Sequence, residues 1–154
     1  MSTLRLAVDV IVRGHVLGAD STSSPDEVDG ILGATSAENR ARRRMWRDYG
    51  LVEFFWERHI GAPTWWGVHF TVQFHRLRPA GVGIAADPIR IEYGPLQPAL
   101  PFESLRAALA ELGVGLVERP RAQADVREFL QPGSGAQIVV VEGEVHAVSV
   151  PRPA

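Results

Sequence analysis

The chain has 154 residues, 45% of them hydrophobic and 22% charged, with a formal net charge of −2. That is the balance of a folded domain, and it gives no overall bias toward nucleic acid or anionic lipid. Cysteine is absent, which removes disulfides, thiolate nucleophiles and thiolate zinc sites.

No apolar run reaches membrane-spanning length. The N-terminal MSTLRLAVDVIVRG lacks the apolar core and small-residue cleavage site of a signal peptide. A cytoplasmic chain with no membrane partner is therefore expected. Lysine is absent as well, so all 16 lysine-or-arginine positions are arginine. With abundant Ala, Gly and Pro, this points to the coding bias of a GC-rich bacterial genome of the actinobacterial kind.

In chain order, Leu4, Leu6, Val8, Val10 and Val12 alternate with Arg5, Ala7, Asp9, Ile11 and Arg13, which predicts a half-buried strand. Ser24-Pro25-Asp26-Glu27 is a capping box with proline in the first helical position. A short helix carrying Val28, Ile31 and Leu32 and closing at Gly33 follows from it. Residues 34–48 are polar and read as a solvated loop or frayed helix. Their Arg40, Arg42, Arg43, Arg44 and Arg47 carry the alternative, an electropositive surface for an acidic partner or nucleic acid.

Residues 51–58, LVEFFWER, read as an aromatic strand, and 59–64 as its hairpin loop. The return strand is WWGVHFTVQFHRL, residues 65–77. Val68, Phe70, Val72 and Phe74 take one face of it, and His69, Thr71, Gln73 and His75 the other. After a Pro/Gly-rich loop at 78–88, Ile89, Ile91 and Tyr93 alternate as in a further strand. GPLQPALP, residues 94–101, marks the main internal boundary.

Phe102, Leu105, Leu109 and Leu112 then form a helical stripe ending at Gly113. Val114 to Glu118 reads as a strand, and Asp125 to Leu130 as a short helix or strand. Ile138–Val141 and Val145–Val150 make a hairpin around Glu142-Gly143. The fold expected is α+β: antiparallel sheet with short helices packed on one face, possible as two tandem helix-plus-sheet repeats. A first unit spans 1–93, a Pro-rich connector 94–101, and a smaller second unit 102–154 shares the core. GLVE at 50–53 and again at 115–118, in a similar order of elements, supports that division.

No nucleophile elbow, phosphate loop, dinucleotide fingerprint or HExxH helix occurs in its required context. The best polar constellation is Glu53, Glu57, His69 and His75, where a His–Glu pair could move protons near neutral pH. His69 and His75 lie six residues apart, about 20 Å along a strand, so one ion cannot bridge them. No catalytic residue, metal or cofactor is assigned. His15, His59 and His146 are isolated. Of the aromatic residues from Phe54 to Phe74, Phe55 falls with Glu53 and Glu57, outside the core face. Trp65 and Trp66 sit beside the turn. Exposed aromatics flanked by charged and amide groups have the composition of a protein-binding hot spot.

The run from Gly18 to Gly33, GADSTSSPDEVDGILG, resembles a pattern in small α+β bacterial domains. In those a capped short helix ending Leu-Gly precedes an antiparallel sheet, as in lipoproteins of the SmpA/OmlA fold and in beta-lactamase inhibitory proteins. This chain departs from them in lacking a lipobox and cysteines. Asp48-Tyr49-Gly50-Leu51-Val52-Glu53-Phe54, with its aromatic return strand, looks like actinobacterial immunity partners of polymorphic toxins. That resemblance implies a non-catalytic protein that blocks a bacterial toxin by occlusion, with a protein partner rather than nucleic acid. The expected contact face is Glu53, Phe55, Glu57, His69, Thr71, Gln73 and His75. The alternative is a small enzyme or ligand-binding domain using the same Glu/His strand face.

Overall fold

A computed structural model describes residues 1–33, 37–121 and 123–154 (Val82 for its backbone). The architecture is α+β, one antiparallel sheet of eight strands with short helices packed on one face. The strands are β1 (Ala37–Arg40), β2 (Arg44–Asp48), β3 (Val52–Glu57), β4 (Trp66–Val72), β5 (Val117–Arg119), β6 (Val126–Leu130), β7 (Gln137–Val141) and β8 (Glu144–Pro151). Their order is β1-β2-β3-β4-β8-β7-β6-β5. Each side of the Pro-rich segment thus contributes a four-strand meander, and the last strands of the two meanders pair with each other.

The helices are α1 (Ser2–Arg13), α2 (Pro25–Leu32), α3 (Leu77–Ala80), α4 (Asp87–Tyr93) and α5 (Phe102–Glu111). α2 begins as the sequence dictates. The Ser24 hydroxyl accepts from the Glu27 N–H while the Glu27 carboxylate accepts from the Ser24 N–H. Such a cap contributes about 1 kcal/mol. α5 likewise buries Phe102, Leu105 and Leu109, but Leu112, expected on the same stripe, caps the helix end and is exposed.

Three expectations are corrected. Residues 2–13 form a helix instead of a strand. Thr3, Leu6, Ala7, Val10 and Ile11 are all buried, a spacing of three and four that coexists in this run with the alternating one. Helix propensity costs a β-branched residue only a few tenths of a kcal/mol, and burying this stripe against the sheet outweighs it. Residues 87–93 are also helical. Ile89 and Tyr93 point inward one turn apart, whereas Ile91 is exposed. Tyr93 is fixed by its hydroxyl donating to Asp9 on α1 at 2.7 Å. Finally, 37–40 and 44–48 form the β1–β2 hairpin in place of a loop or frayed helix. The part of that reading covering 34–36 lies outside the described residues.

The two GLVE copies occupy different places. The first leads into the third strand of its meander, the second into the first strand of its own. In the core, Val52, Phe54 and Trp56 of β3 meet Phe70 and Val72 of β4, with Phe54 stacked on Phe70 at 5.1 Å between ring centres. The Trp56 indole N–H donates to the Ser23 carbonyl at 2.9 Å, tying the loop before α2 to the sheet. On the same side, Arg47 reaches Asp29 of α2 at 3.0 Å, and the Tyr49 hydroxyl donates to that carboxylate at 2.5 Å. Burial and this bond to Asp29 push the Tyr49 phenol well above its usual range.

Candidate functional site: the open face of the sheet

With the helices on one face, strand alternation sends every second residue to the other. On β3 these are Glu53, Phe55 and Glu57, and on β2 they are Arg44, Trp46 and Asp48. On β4 they are Trp66, His69 and Thr71, with Ser149 and Pro151 of β8 alongside. Cross-strand pairing sets Phe55 between Trp46 and His69. The Phe55 ring stacks on the His69 imidazole with centres 4.2 Å apart. Together with Arg44 and Glu57 these residues line a shallow hollow of about 540 Å³.

Of the seven expected contact residues, five share this face: Glu53, Phe55, Glu57, His69 and Thr71. Gln73 and His75 do not extend the stripe, because β4 ends at Val72. Gln73 donates its N–H to the Leu51 carbonyl at 2.8 Å, and the chain then turns through a short 3-10 segment, Phe74–Arg76. His75 there stacks on His146 of β8, ring centres 4.0 Å apart, and its Nδ1 lies 3.2 Å from the His146 carbonyl oxygen. The extended reading of 65–77 is corrected at this point. Phe74 keeps the apolar side of the pattern by burial within the turn, so the turn imitates the alternation of a strand.

The five that do meet are not equivalent. Glu53 is 5% exposed and both carboxylate oxygens are engaged. One accepts from the Trp46 indole N–H at 2.7 Å, and the other pairs with the Arg76 guanidinium, which also binds Asp48 at 3.2 Å and the Gly50 carbonyl at 2.8 Å. Glu53 therefore braces the face from beneath. The Thr71 and Ser149 hydroxyls, 2.8 Å apart, join β4 to β8 in the same way. Phe55, Glu57 and His69 are the members that can meet another molecule. Glu57 is exposed, with Arg44 at 3.9 Å its nearest cation. Beside it stands Trp66, 60% exposed, with the Arg152 guanidinium 3.9 Å over its ring.

Sequence reasoning missed Trp46 and Arg76. RMWRD carried a usable signal for Trp46, since Met45 and Arg47 alternate with Trp46 and Asp48. Arg76 had none, because the turn that swings it back onto Asp48 and Glu53 is a tertiary feature.

Burial pushes the His69 imidazole below the ordinary histidine range, and Glu53 and Glu57 only partly oppose it. The unfolded chain therefore takes up a proton at a pH where folded His69 is still neutral. This contribution to stability is complete above the ordinary value of 6.5 and is lost as pH falls through the folded value. His146, lowered by burial and by neighbouring His75, acts in the same direction. Wild-type Tm should fall between about pH 7.5 and pH 5, and a His69→Gln variant should show a shallower fall over that window. An unchanged slope would remove His69 from this account.

Among the described residues, no group of three or more His, Asp or Glu side chains is placed to hold a metal ion. No described helix is long and apolar enough to cross a membrane. In comparisons with protein-family models, with curated proteins and with solved structures, nothing matched the chain.

Proposed function

We propose that this chain is a non-catalytic protein-binding inhibitor, an immunity protein of the bacterial cytoplasm that neutralises a cognate toxin by covering its working surface. The observation that carries this reading is the helix-free sheet face on which Trp46, Phe55 and His69 form a half-buried aromatic row rimmed by Arg44, Glu57 and Trp66. Aromatic side chains of this kind supply contact area at low entropic cost, and charged rims set register and specificity. The rigid sheet beneath, braced by Glu53, presents the row already ordered, which lowers the ordering cost of association.

The test is co-expression with the product of a neighbouring toxin-like reading frame. The chain should relieve growth arrest and co-elute with that product. Phe55→Arg, on an outward-facing position, should weaken the complex by about 2 kcal/mol or more, roughly thirtyfold, with Tm nearly unchanged. No relief and no complex with wild-type chain would overturn the reading. Full binding by Phe55→Arg would move the contact to another surface.

A further inference from the structure

The loops at one end of the sheet gather a charge opposite to that of the whole molecule. The β1–β2 hairpin brings Arg40, Arg42, Arg43 and Arg44 there, the β3–β4 loop brings Arg58, and the tail after β8 brings Arg152. The nearby carboxylates are Glu38 and Glu57. Glu38 is held by Arg47 at 2.7 Å and by Arg40 at 3.2 Å, and these two arginines keep it below the usual carboxylate range. Arg42 and Arg43 are exposed, and among the described residues no carboxylate pairs with either. This concentration stands out on a chain of net charge −2.

Two indoles organise the cluster. Arg58 lies 4.2 Å and Arg40 5.9 Å over the Trp65 ring, and Arg152 lies 3.9 Å over Trp66. Stacking restrains these long side chains by their flat faces, and each is also tied at one N–H: Arg58 donates to the Arg42 carbonyl at 2.9 Å, Arg152 to the Gly67 carbonyl at 3.3 Å and Arg40 to Glu38 at 3.2 Å. The two-pronged binding of a carboxylate therefore falls to the exposed guanidiniums of Arg42 and Arg43. Arg43, Arg44, Arg58 and His59 line a hollow of about 610 Å³, with Trp66 and Glu57 also in its wall. Arg44 and Glu57 also line the aromatic hollow, so the two run into each other.

From this we infer that the arginine-rich end of the sheet docks an acidic protein surface, a loop or strand presenting Asp and Glu carboxylates. The inference rests on the protein-binding reading and extends it: a partner seated over Phe55 places its flank in the basic hollow. Single-stranded nucleic acid fits less well. Base stacking needs free ring faces, and Trp65 carries Arg58 and Arg40 while one face of Trp66 is taken by Arg152. The cations also cluster at one end instead of following a track for a phosphate chain. Exposed ion pairs individually add little affinity, so the expected effect is on capture rate and salt dependence.

The experiment is an anisotropy titration of the full chain with two fluorescein-labelled probes, an all-acidic Glu/Asp peptide and an oligothymidylate of equal net charge. At about 20 mM salt, where screening is weak, the peptide should bind more tightly than the oligonucleotide. Its affinity should drop at least tenfold at about 200 mM salt. It should also drop at least tenfold in the double variant Arg42→Glu/Arg43→Glu, and about threefold in Arg42→Gln/Arg43→Gln, with Tm held in both. Tighter binding of the oligonucleotide overturns the inference in favour of nucleic acid. Peptide binding that ignores charge reversal, or no peptide binding, overturns it outright. If the chain relieves toxin arrest but ignores the peptide, immunity stands and acidic docking falls. If it binds the peptide with the stated losses but relieves no arrest, acidic docking stands and immunity falls.

Discussion

Replacing Arg76 with alanine is expected to destabilise the protein by about 3 kcal/mol, a drop in Tm of roughly 6–12 °C for a chain of this size. The substitution takes the cation from Glu53, whose side chain is 6% exposed, and from Asp48. It also frees the Gly50 carbonyl, which accepts from the same guanidinium at 2.8 Å. A buried carboxylate stripped of its partner bears the full cost of desolvation, which is why breaking such a pair costs far more than the intact pair contributes. Glu53→Gln should cost less, about 1–2 kcal/mol, because the amide oxygen still accepts from the Trp46 indole. Arg78→Ala is the control. Its ion pair with Glu144 is 60% and 45% exposed on the two sides, and its loss should be worth under about 1 kcal/mol. Thermal or urea denaturation of the three variants gives the ranking. An Arg76→Ala protein as stable as Arg78→Ala would show that the cluster braces nothing.

Gly67→Ala is expected to cost about 3 kcal/mol and to disturb the open face as well. A Cβ at this position would lie 1.9 Å from the Ser21 carbonyl oxygen and 2.9 Å from the carbonyl carbon, both backbone atoms that no side-chain rotation can move. Gly67 pairs with Trp56 beside an irregularity between Phe55 and Trp56, so β4 and the strap before α2 would have to separate. Ser21 is itself tied to β8 by its hydroxyl, which donates to the Val150 carbonyl at 2.7 Å, so the strap cannot yield without breaking that bond. Because Gly67 lies between Trp66 and His69, the shift should also weaken partner binding. Denaturation and the co-elution assay read the two effects together. A variant with wild-type Tm would show that the strap moves freely.

Where one reading satisfied both local chemistry and burial, the elements were legible in the sequence. The Ser24–Glu27 cap, the α5 stripe and the β7–β8 hairpin are of this kind. Strand β3 was also legible, because glycine precedes it and its aromatic residues suit a half-buried strand. The candidate site was half legible. Alternation placed Phe55, Glu57 and His69 on one face, but it ran on through Gln73 to His75, and no local feature of QFHR marks the turn that ends β4.

The sequence alone thus determined the α+β composition, the cap of α2 and which residues of β3, and of β4 as far as Thr71, face away from the core. It misassigned the run 2–13 and the run 87–93 as strands, and both are helices. Both carry apolar residues at two periods at once, and only the surface they pack against selects between them. The tertiary structure also decided that the polar arginine segment is a sheet hairpin, since cross-strand pairing with Phe54 and Trp56 supplies the burial that RMWRD lacks alone. It decided the character of Glu53 too. A carboxylate on the outward stripe becomes a buried brace because Trp46 and Arg76, seven and twenty-three positions away in the chain, converge on it.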